Sequence, residues 1–282
     1  MGRDGVIPAF LKGGMGLGKR WMITMIAVMS VLGVGILLYP AVSQMVNRWN
    51  GSYAIQEYKH LVDAMDAQER EAELEEAKAY NAKLRLASAK FTPEESGYEK
   101  ILDFGNGIMG YVEIPDIDVK LPIYHGVTNE VLEKGVGHLP TSSFPIPGVG
   151  NHAVLTGHTG LPSASLFTNL DQMQEGDNFE VIVGDAHMIY QVDQIKVVLP
   201  DETADLQPIS GEDYCTLVTC TPYGVNSHRL LVRGSRVETQ EVFADEPFVQ
   251  PEQEGRILSP YWLIFLFPIG VILLLNGKRG NK

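Results

Sequence analysis

The sequence predicts a mainly β domain, closed or nearly closed into a barrel, with a few short helices. Three observations carry this reading. Seven or eight short β-rich runs follow one another in about 130 residues from Met109 onward, a density expected of small closed β architectures. Residues 51–90 are rich in Ala, Glu, Lys and Leu, with no proline and no glycine after Gly51, which favours one or two long helices ahead of the barrel. Two uncharged apolar segments, Trp21–Val46 and Ser259–Asn276, flank the whole.

The elements follow in order. In the helical stretch Ile55, Tyr58, Leu61, Val62 and Met65 recur on one face. The stripe thins through "DAQEREAELEEAKA", so a solvated helix is expected there. Residues 91–109, with Pro93, Gly97, Gly105 and Gly107, read as a joint. "MGYVEIPDIDVKLPIYHG" holds two strands around Pro115-Asp116, and "NHAVLTGH" is a strand running into a glycine. "NFEVIVGDAHMIYQVDQIKVVLP" reads as a hairpin turning at Gly184-Asp185, a favoured turn pair. "DYCTLVTC" and "HRLLVRGSRV" are the last two strands, while "TNEVLEKG" and "PSASLFTNLDQM" read as short helices.

Trp21–Val46 exceeds the ~20 apolar residues that cross a bilayer and the roughly 7–15 of a cleaved leader. Ser259–Asn276 is shorter, with Tyr261 and Trp262 suited to an interfacial belt. Lys12, Lys19 and Arg20 precede the first segment, and Lys278, Arg279 and Lys282 follow the second. Basic flanks stay in the cytoplasm, so the region between is expected outside the cell. The expected organisation is a cytoplasmic tail (1–20), a transmembrane helix (21–46) and an extracellular helical and linker region (47–106). The β-barrel (107–240), a linker (241–258), a second transmembrane helix (259–276) and a cytoplasmic tail (277–282) complete it. The lipid bilayer is thus one expected partner.

Of 22 Lys/Arg and 35 Asp/Glu, seven basic residues and one acid lie in the flanks, leaving 15 against 34 between the spans. Such an acidic region excludes a nucleic-acid partner, which requires a basic face. No H-E-x-x-H, paired C-x-x-C, EF-hand loop or phosphate-binding glycine loop occurs in the barrel region, so neither metal nor cofactor is expected. "GGMGLG" precedes the first apolar segment and reads as a tail.

Cys215 and Cys220 are the two cysteines. Five residues of strand separate them by about 16 Å, whereas a disulfide needs Cα atoms within about 7 Å, and an odd offset turns the side chains to opposite faces. Cys215 reads as a small core residue. Cys220, a free thiol at a strand end, is a candidate nucleophile, which needs a base and a donor for developing charge. Among the histidines, His60 sits in the polar helix and His187 begins a hairpin strand, both expected exposed. His138 and His152 sit at loop-to-strand joints and read as structural. His158 closes "AVLTGHTGLP" at another strand end, between Gly157 and Gly160, whose small size lets a backbone approach a ligand closely. Arg229 follows Cys220 by nine residues across the turn-forming insert "TPYGVNSH". It shares a strand face with Leu231 and Arg233, and offers a planar fork of donors.

"TLVTCTPYGVNSHRLLVRG" (Thr216–Gly234) resembles the active-site signature of sortases, T-L-x-T-C with a downstream arginine. "HAVLTGHTGLPSASLF" is similar to the histidine segment of the same family, and "GIMGYVEIPDIDVKLPIYHG" to its opening strands. The likeness covers about Gly107–Val237. The "TPYG" continuation and the second apolar segment resemble class C, the pilin-polymerising sortases of Gram-positive bacteria. The resemblance implies an eight-stranded sortase β-barrel and cysteine transpeptidation. Cys220 would cleave an LPxTG-like sorting signal through a thioester, His158 would move the proton, and Arg229 would hold the substrate oxygen. The acceptor would be a pilin lysine, making pilin subunits the partners. Two other readings stand beside it: anchoring of surface proteins to a cell-wall precursor by the same residues, and a membrane-tethered adhesion domain in which Cys220 is incidental. Class C sortases usually carry an Asp-Pro-aromatic lid ahead of the barrel. No such triplet occurs in residues 87–107, and "DEPF" (Asp245–Phe248) follows the barrel with an extra residue. The usual lid is therefore expected to be absent, or replaced by Phe91 or Phe104.

Overall fold

The computed structural model describes residues 17–86, 92–93 and 96–237. The second apolar segment, Phe91 and "DEPF" lie outside the described residues. Helix α1 (Leu17–Ala64) comes first, and its parts before and after Pro40 belong to two units. The first part carries exposed apolar side chains, Trp21, Ile26, Met29 and Ile36 among them. It belongs to the one helix among the described residues that is long and apolar enough to cross a membrane, with a mean hydropathy of 2.3 over its most apolar stretch and none of that stretch buried.

In the second unit, the remainder of α1 buries Ile55, Tyr58 and Val62, the i, i+3, i+7 stripe visible in the sequence. A corner at Met65–Asp66 leads into α2 (Ala67–Leu86). Asp66 and Glu69 cap its start reciprocally: the Glu69 N–H donates to Asp66 Oδ1 at 2.8 Å, and the Asp66 N–H to Glu69 Oε2 at 3.3 Å. The expectation of a solvated α2 is corrected here. Ala77, Tyr80 and Asn81 are buried against the barrel domain. The Asn81 amide both donates to the Phe144 carbonyl (3.1 Å) and accepts from the Phe144 N–H (2.7 Å), pairing with backbone as a neighbouring strand would. α1 docks through the Tyr58 hydroxyl, which accepts from Gly184 N–H at 2.7 Å and donates to the Met109 carbonyl at 3.4 Å.

Eight strands close the barrel: β1 (Ile108–Ile114), β2 (Val119–His125), β3 (Val136–His138), β4 (Asn151–Thr156), β5 (Asn178–Val183), β6 (Ala186–Val198), β7 (Asp213–Thr221) and β8 (His228–Val237). Their order around the barrel is β1-β2-β3-β4-β7-β8-β6-β5, which leaves no free sheet edge. β2–β3 and β4–β7 are parallel, and the remaining pairs are antiparallel. The β2–β3 crossover carries α3 (Asn129–Lys134), the expected "TNEVLEKG" helix, capped by Thr128 Oγ1 accepting from the Val131 N–H. β5 and β6 turn at Gly184-Asp185 as expected, Gly184 supplying a φ of +56°.

Alternation along the strands sends Val112, Ile114, Leu155, Phe179, Val181, Tyr190, Cys215, Leu217, Leu230 and Val232 into the main core, each large apolar chain contributing roughly 1.5–3 kcal/mol. "PSASLFTNLDQM" is not helical as a whole. It crosses the barrel as a loop burying Leu166, Phe167, Leu170 and Met173, with one 3-10 turn at Leu170–Gln172. Phe104 cannot cover Cys220. It is buried edge-on against Tyr58 (centroids 5.6 Å apart) and lies near Gly184, at the β5–β6 turn, whereas Cys220 sits by the far end of β6. Tyr98 is likewise in the core, stacked on Phe144 and His138.

Candidate active site

β4 and β7 run parallel and β8 returns antiparallel, so the ends of β4 and β7 and the start of β8 lie at one rim of the barrel. Cys220 and Arg229 are direct partners in the β7–β8 register. Directly opposed residues of an antiparallel pair project to the same face, 4.5–5.5 Å apart at Cα as a rule. That face is identified by a small outer cluster of Val154, Val218 and Leu231. Val218 pairs with Leu231 two positions before Cys220 and Arg229, so alternation puts the thiol and the guanidinium on this outer face. The connecting loop, Pro222–Ser227, turns through Gly224 and Asn226, both at positive φ.

His158 arrives from β4. The ladder pairs Leu155 with Leu217 and Thr156 with Val218. Two hydrogen bonds carry it one residue further: Gly157 N–H donates to the Val218 carbonyl (3.0 Å), and Thr219 Oγ1 donates to the Gly157 carbonyl (2.8 Å). The next step of this register sets His158 level with Cys220. Both are half-buried. The flanking glycines make room for side chains. Their open faces receive rings of this same chain: Phe167 lies against Gly157, and Tyr223 of the β7–β8 loop lies over Gly160, which also holds a φ of +74°.

β8 carries three arginines with contrasting surroundings. Arg233 makes a two-pronged pair with Asp193 (3.0 and 2.8 Å) and stacks over Tyr214, and Arg236 pairs with Asp213 at 2.9 Å. Among the described residues no carboxylate pairs with Arg229. One of its Nη atoms donates to the carbonyls of Asn226 and His228. Its fork is thereby oriented by the loop.

The other candidates fall where the sequence put them. Cys215 is wholly buried, and burial pushes its thiol well up. Both cysteines lie on β7 and both are free. His138 is wholly buried against Tyr98 and Phe144, its Nε2 donating to the Ser143 carbonyl at 2.8 Å, and burial pulls its pKa down to about 3. His152 bridges the Gln207 carbonyl and Thr216 Oγ1, and burial lowers it too. His187 pairs with Glu180 at the surface, and His60 is exposed. Thr219 and Phe167, which hold the His158 loop, were not singled out in the sequence, although both lie inside its signature segments. The described residues contain no cluster of three or more metal-ligating side chains.

A sortase-domain family profile matches residues 112–237. A crystal structure of sortase C1 from Streptococcus agalactiae superposes with a TM-score of 0.64 at 46% identity, over 66% of this chain and 99% of that one. The chain belongs to the sortase family. A sortase C from Streptococcus pneumoniae gives a TM-score of 0.61 at 44% identity, over 66% of this chain and 97% of that one. Sortase D of Bacillus subtilis (strain 168) is 30% identical over 131 residues, 45% of this chain, and the match spans 63% of that relative. The sortase-type eight-stranded barrel is therefore established, with strong structural likenesses to class C sortases.

Proposed function

We propose that this chain is a membrane-anchored cysteine transpeptidase that polymerises pilins, with Cys220 as nucleophile, His158 as proton carrier and Arg229 as oxygen-binding cation. The register pair Cys220–Arg229, with hydrogen bonds at Gly157 continuing the β4–β7 register toward His158, is the observation that carries this reading. The Cys220 thiolate attacks the threonine carbonyl carbon of an LPxTG-like signal, and Arg229 donates to the oxygen as it gains charge. Collapse breaks the Thr–Gly bond. His158 gives its proton to the departing glycine amine, leaving a thioester on Cys220. A lysine ε-amine then attacks the thioester, His158 removes its proton, and the Cys220 thiolate leaves from an isopeptide-linked product.

The choice of a pilin acceptor follows the class C likeness. The Streptococcus pneumoniae sortase C, 44% identical, is described in terms of pilin substrate specificity. The apolar start of α1 supports membrane anchoring. With Ser259–Asn276 as a second span, both termini would be cytoplasmic and the barrel extracellular.

Incubating the full chain in detergent with an LPxTG peptide tests the reading. A mass adduct on Cys220 that Cys220→Ala lacks is expected, resolved by a lysine-bearing peptide into an isopeptide product. Resolution only by a peptidoglycan stem amine would replace the pilin acceptor with a cell-wall precursor. A folded chain that forms no adduct would overturn the transpeptidase reading and favour a tethered adhesion domain.

A further inference from the structure

His158 lies beyond Thr156, the last residue of the β4–β7 ladder, so the ladder alone does not fix it. Groups outside the catalytic trio do. The Thr219 hydroxyl, on a residue only 3% exposed, donates to the Gly157 carbonyl at 2.8 Å. One residue on, Phe167 N–H donates to the His158 carbonyl at 3.1 Å. Both carbonyls around His158 are thereby anchored. The wholly buried Phe167 ring also occupies the space a side chain at 157 would need, since a Cβ there would sit 2.6 Å from the ring. Leu166, itself buried, is held at φ +38°, a conformation a leucine keeps only where its surroundings impose it.

Thr219 precedes Cys220 on the same strand. Alternation turns its side chain away from the face carrying the thiol, so its route to the chemistry runs through Gly157. We propose that Thr219 is a positioning residue. Its hydroxyl ties the backbone of the histidine loop to the strand bearing the nucleophile, with Phe167 as the backing wall, and so fixes the distance between Cys220 and His158. The proposal rests on reading Cys220 and His158 as the thiol–imidazole pair. Proton transfer requires the partners within hydrogen-bond reach, and a shift of about 1 Å in a reacting group can cost on the order of 10²-fold in rate.

The test uses the full chain and the variants Thr219→Val, Thr219→Ser and His158→Ala. Two quantities are read: the pH profile of Cys220 alkylation by iodoacetamide, which needs no sorting substrate, and kcat and KM on an LPxTG peptide with an amine acceptor. Thr219→Val is expected to shift the alkylation profile toward that of His158→Ala and to lower kcat on the order of 10–100-fold with KM little changed. Thr219→Ser, which keeps the donor, is expected to return both toward wild type. If Thr219→Val does not fold, Thr219→Ala carries the same expectation. A folded Val or Ala variant with the wild-type profile and kcat overturns the proposal, as does a wild-type profile identical to that of His158→Ala. A wild-type chain that shows the histidine-dependent profile but turns over no peptide would remove the transpeptidase reading and leave the clasp standing.

Discussion

Cys220 and Arg229 face each other across the β7–β8 pair as direct register partners, on the outer face of the barrel. The relationship is set by strand alternation and by a six-residue loop between Thr221 and His228. It gives the thiol a neighbouring cation that no described carboxylate has claimed, and the consequences differ from those of the two paired arginines on the same strand.

Arg229→Ala should lower kcat by roughly 10²–10³-fold if its fork meets the developing oxyanion. Arg229→Lys should recover little, because an ammonium lacks the planar fork. Stability should move by less than about 0.5 kcal/mol, as for other partly exposed sites without a buried partner. Arg233→Ala should do the reverse: near-normal kcat, but up to about 1 kcal/mol lost with its two-pronged bond to the exposed Asp193. Steady-state kinetics beside urea unfolding separates the two. Equal kinetic losses would deny Arg229 its special place.

The two cysteines should react differently although they share β7. Cys215 is fully buried with its thiol pushed up by desolvation, whereas Cys220 is half-exposed. Iodoacetamide on the folded chain should give one adduct, mapped to Cys220 by peptide mass analysis, and a second only in denaturant. Cys215→Ser should cost about 1–3 kcal/mol by burying a hydroxyl with no assured partner, while Cys220→Ser should leave the unfolding midpoint nearly unchanged. Rapid alkylation of Cys215 under native conditions would contradict the packing described.

Stability should fall on mild acidification. His138 is held neutral in the fold, with its pKa near 3 against about 6.5 when unfolded. The unfolded chain therefore binds the extra proton first. The stabilisation is complete above pH 6.5 and is lost as pH falls toward 3, with a slope of up to about 1.4 kcal/mol per pH unit. His152, also lowered by burial, acts in the same direction. Between pH 6.5 and 5 most carboxylates remain ionised, so urea unfolding in that window reads the histidines. His138→Gln should be less stable at pH 7 but show a shallower slope, and an unchanged slope would remove His138 as the cause.

The barrel, and the strand-end placement of the candidate site residues, were legible because both obey short-range rules. Alternation, the Gly184-Asp185 turn and the strand-end positions of Cys220 and Arg229 are all local. The docking of α2 was not legible. Its packed face consists of Leu74, Ala77, Tyr80 and Asn81, one aliphatic, a small residue, one aromatic and an amide, a stripe too short and mixed to stand out in so charged a helix. The loop after His158 misled for the opposite reason. Leu166, Phe167, Leu170 and Met173 recur at helical spacing, yet tertiary packing buries them from an irregular chain in which Leu166 has left the helical region. The clasp from Thr219 to Gly157 joins residues 62 positions apart, a partnership that no local pattern encodes.

Asn81 offers the sharpest check on the docking of α2. Its amide satisfies both the N–H and the carbonyl of Phe144, and all three groups are buried. Asn81→Leu keeps the volume but strands two backbone groups, at about 1–3 kcal/mol each. Asn81→Asp retains the acceptor for the Phe144 N–H but sets a carboxylate against the Phe144 carbonyl, a penalty that should grow as pH rises above the carboxylate range. Unfolding midpoints should therefore order as wild type above both variants, with Asn81→Asp recovering partly at pH 5 relative to pH 8. Site chemistry should survive at low temperature, because Phe144 and α2 contribute no group to the Cys220 rim. If Asn81→Leu matched wild type in stability, the docking of α2 would have to rest on its other contacts, among them Leu74, Ala77 and Tyr80 and the bonds Glu73 and Arg85 make to Leu102 and Asn151.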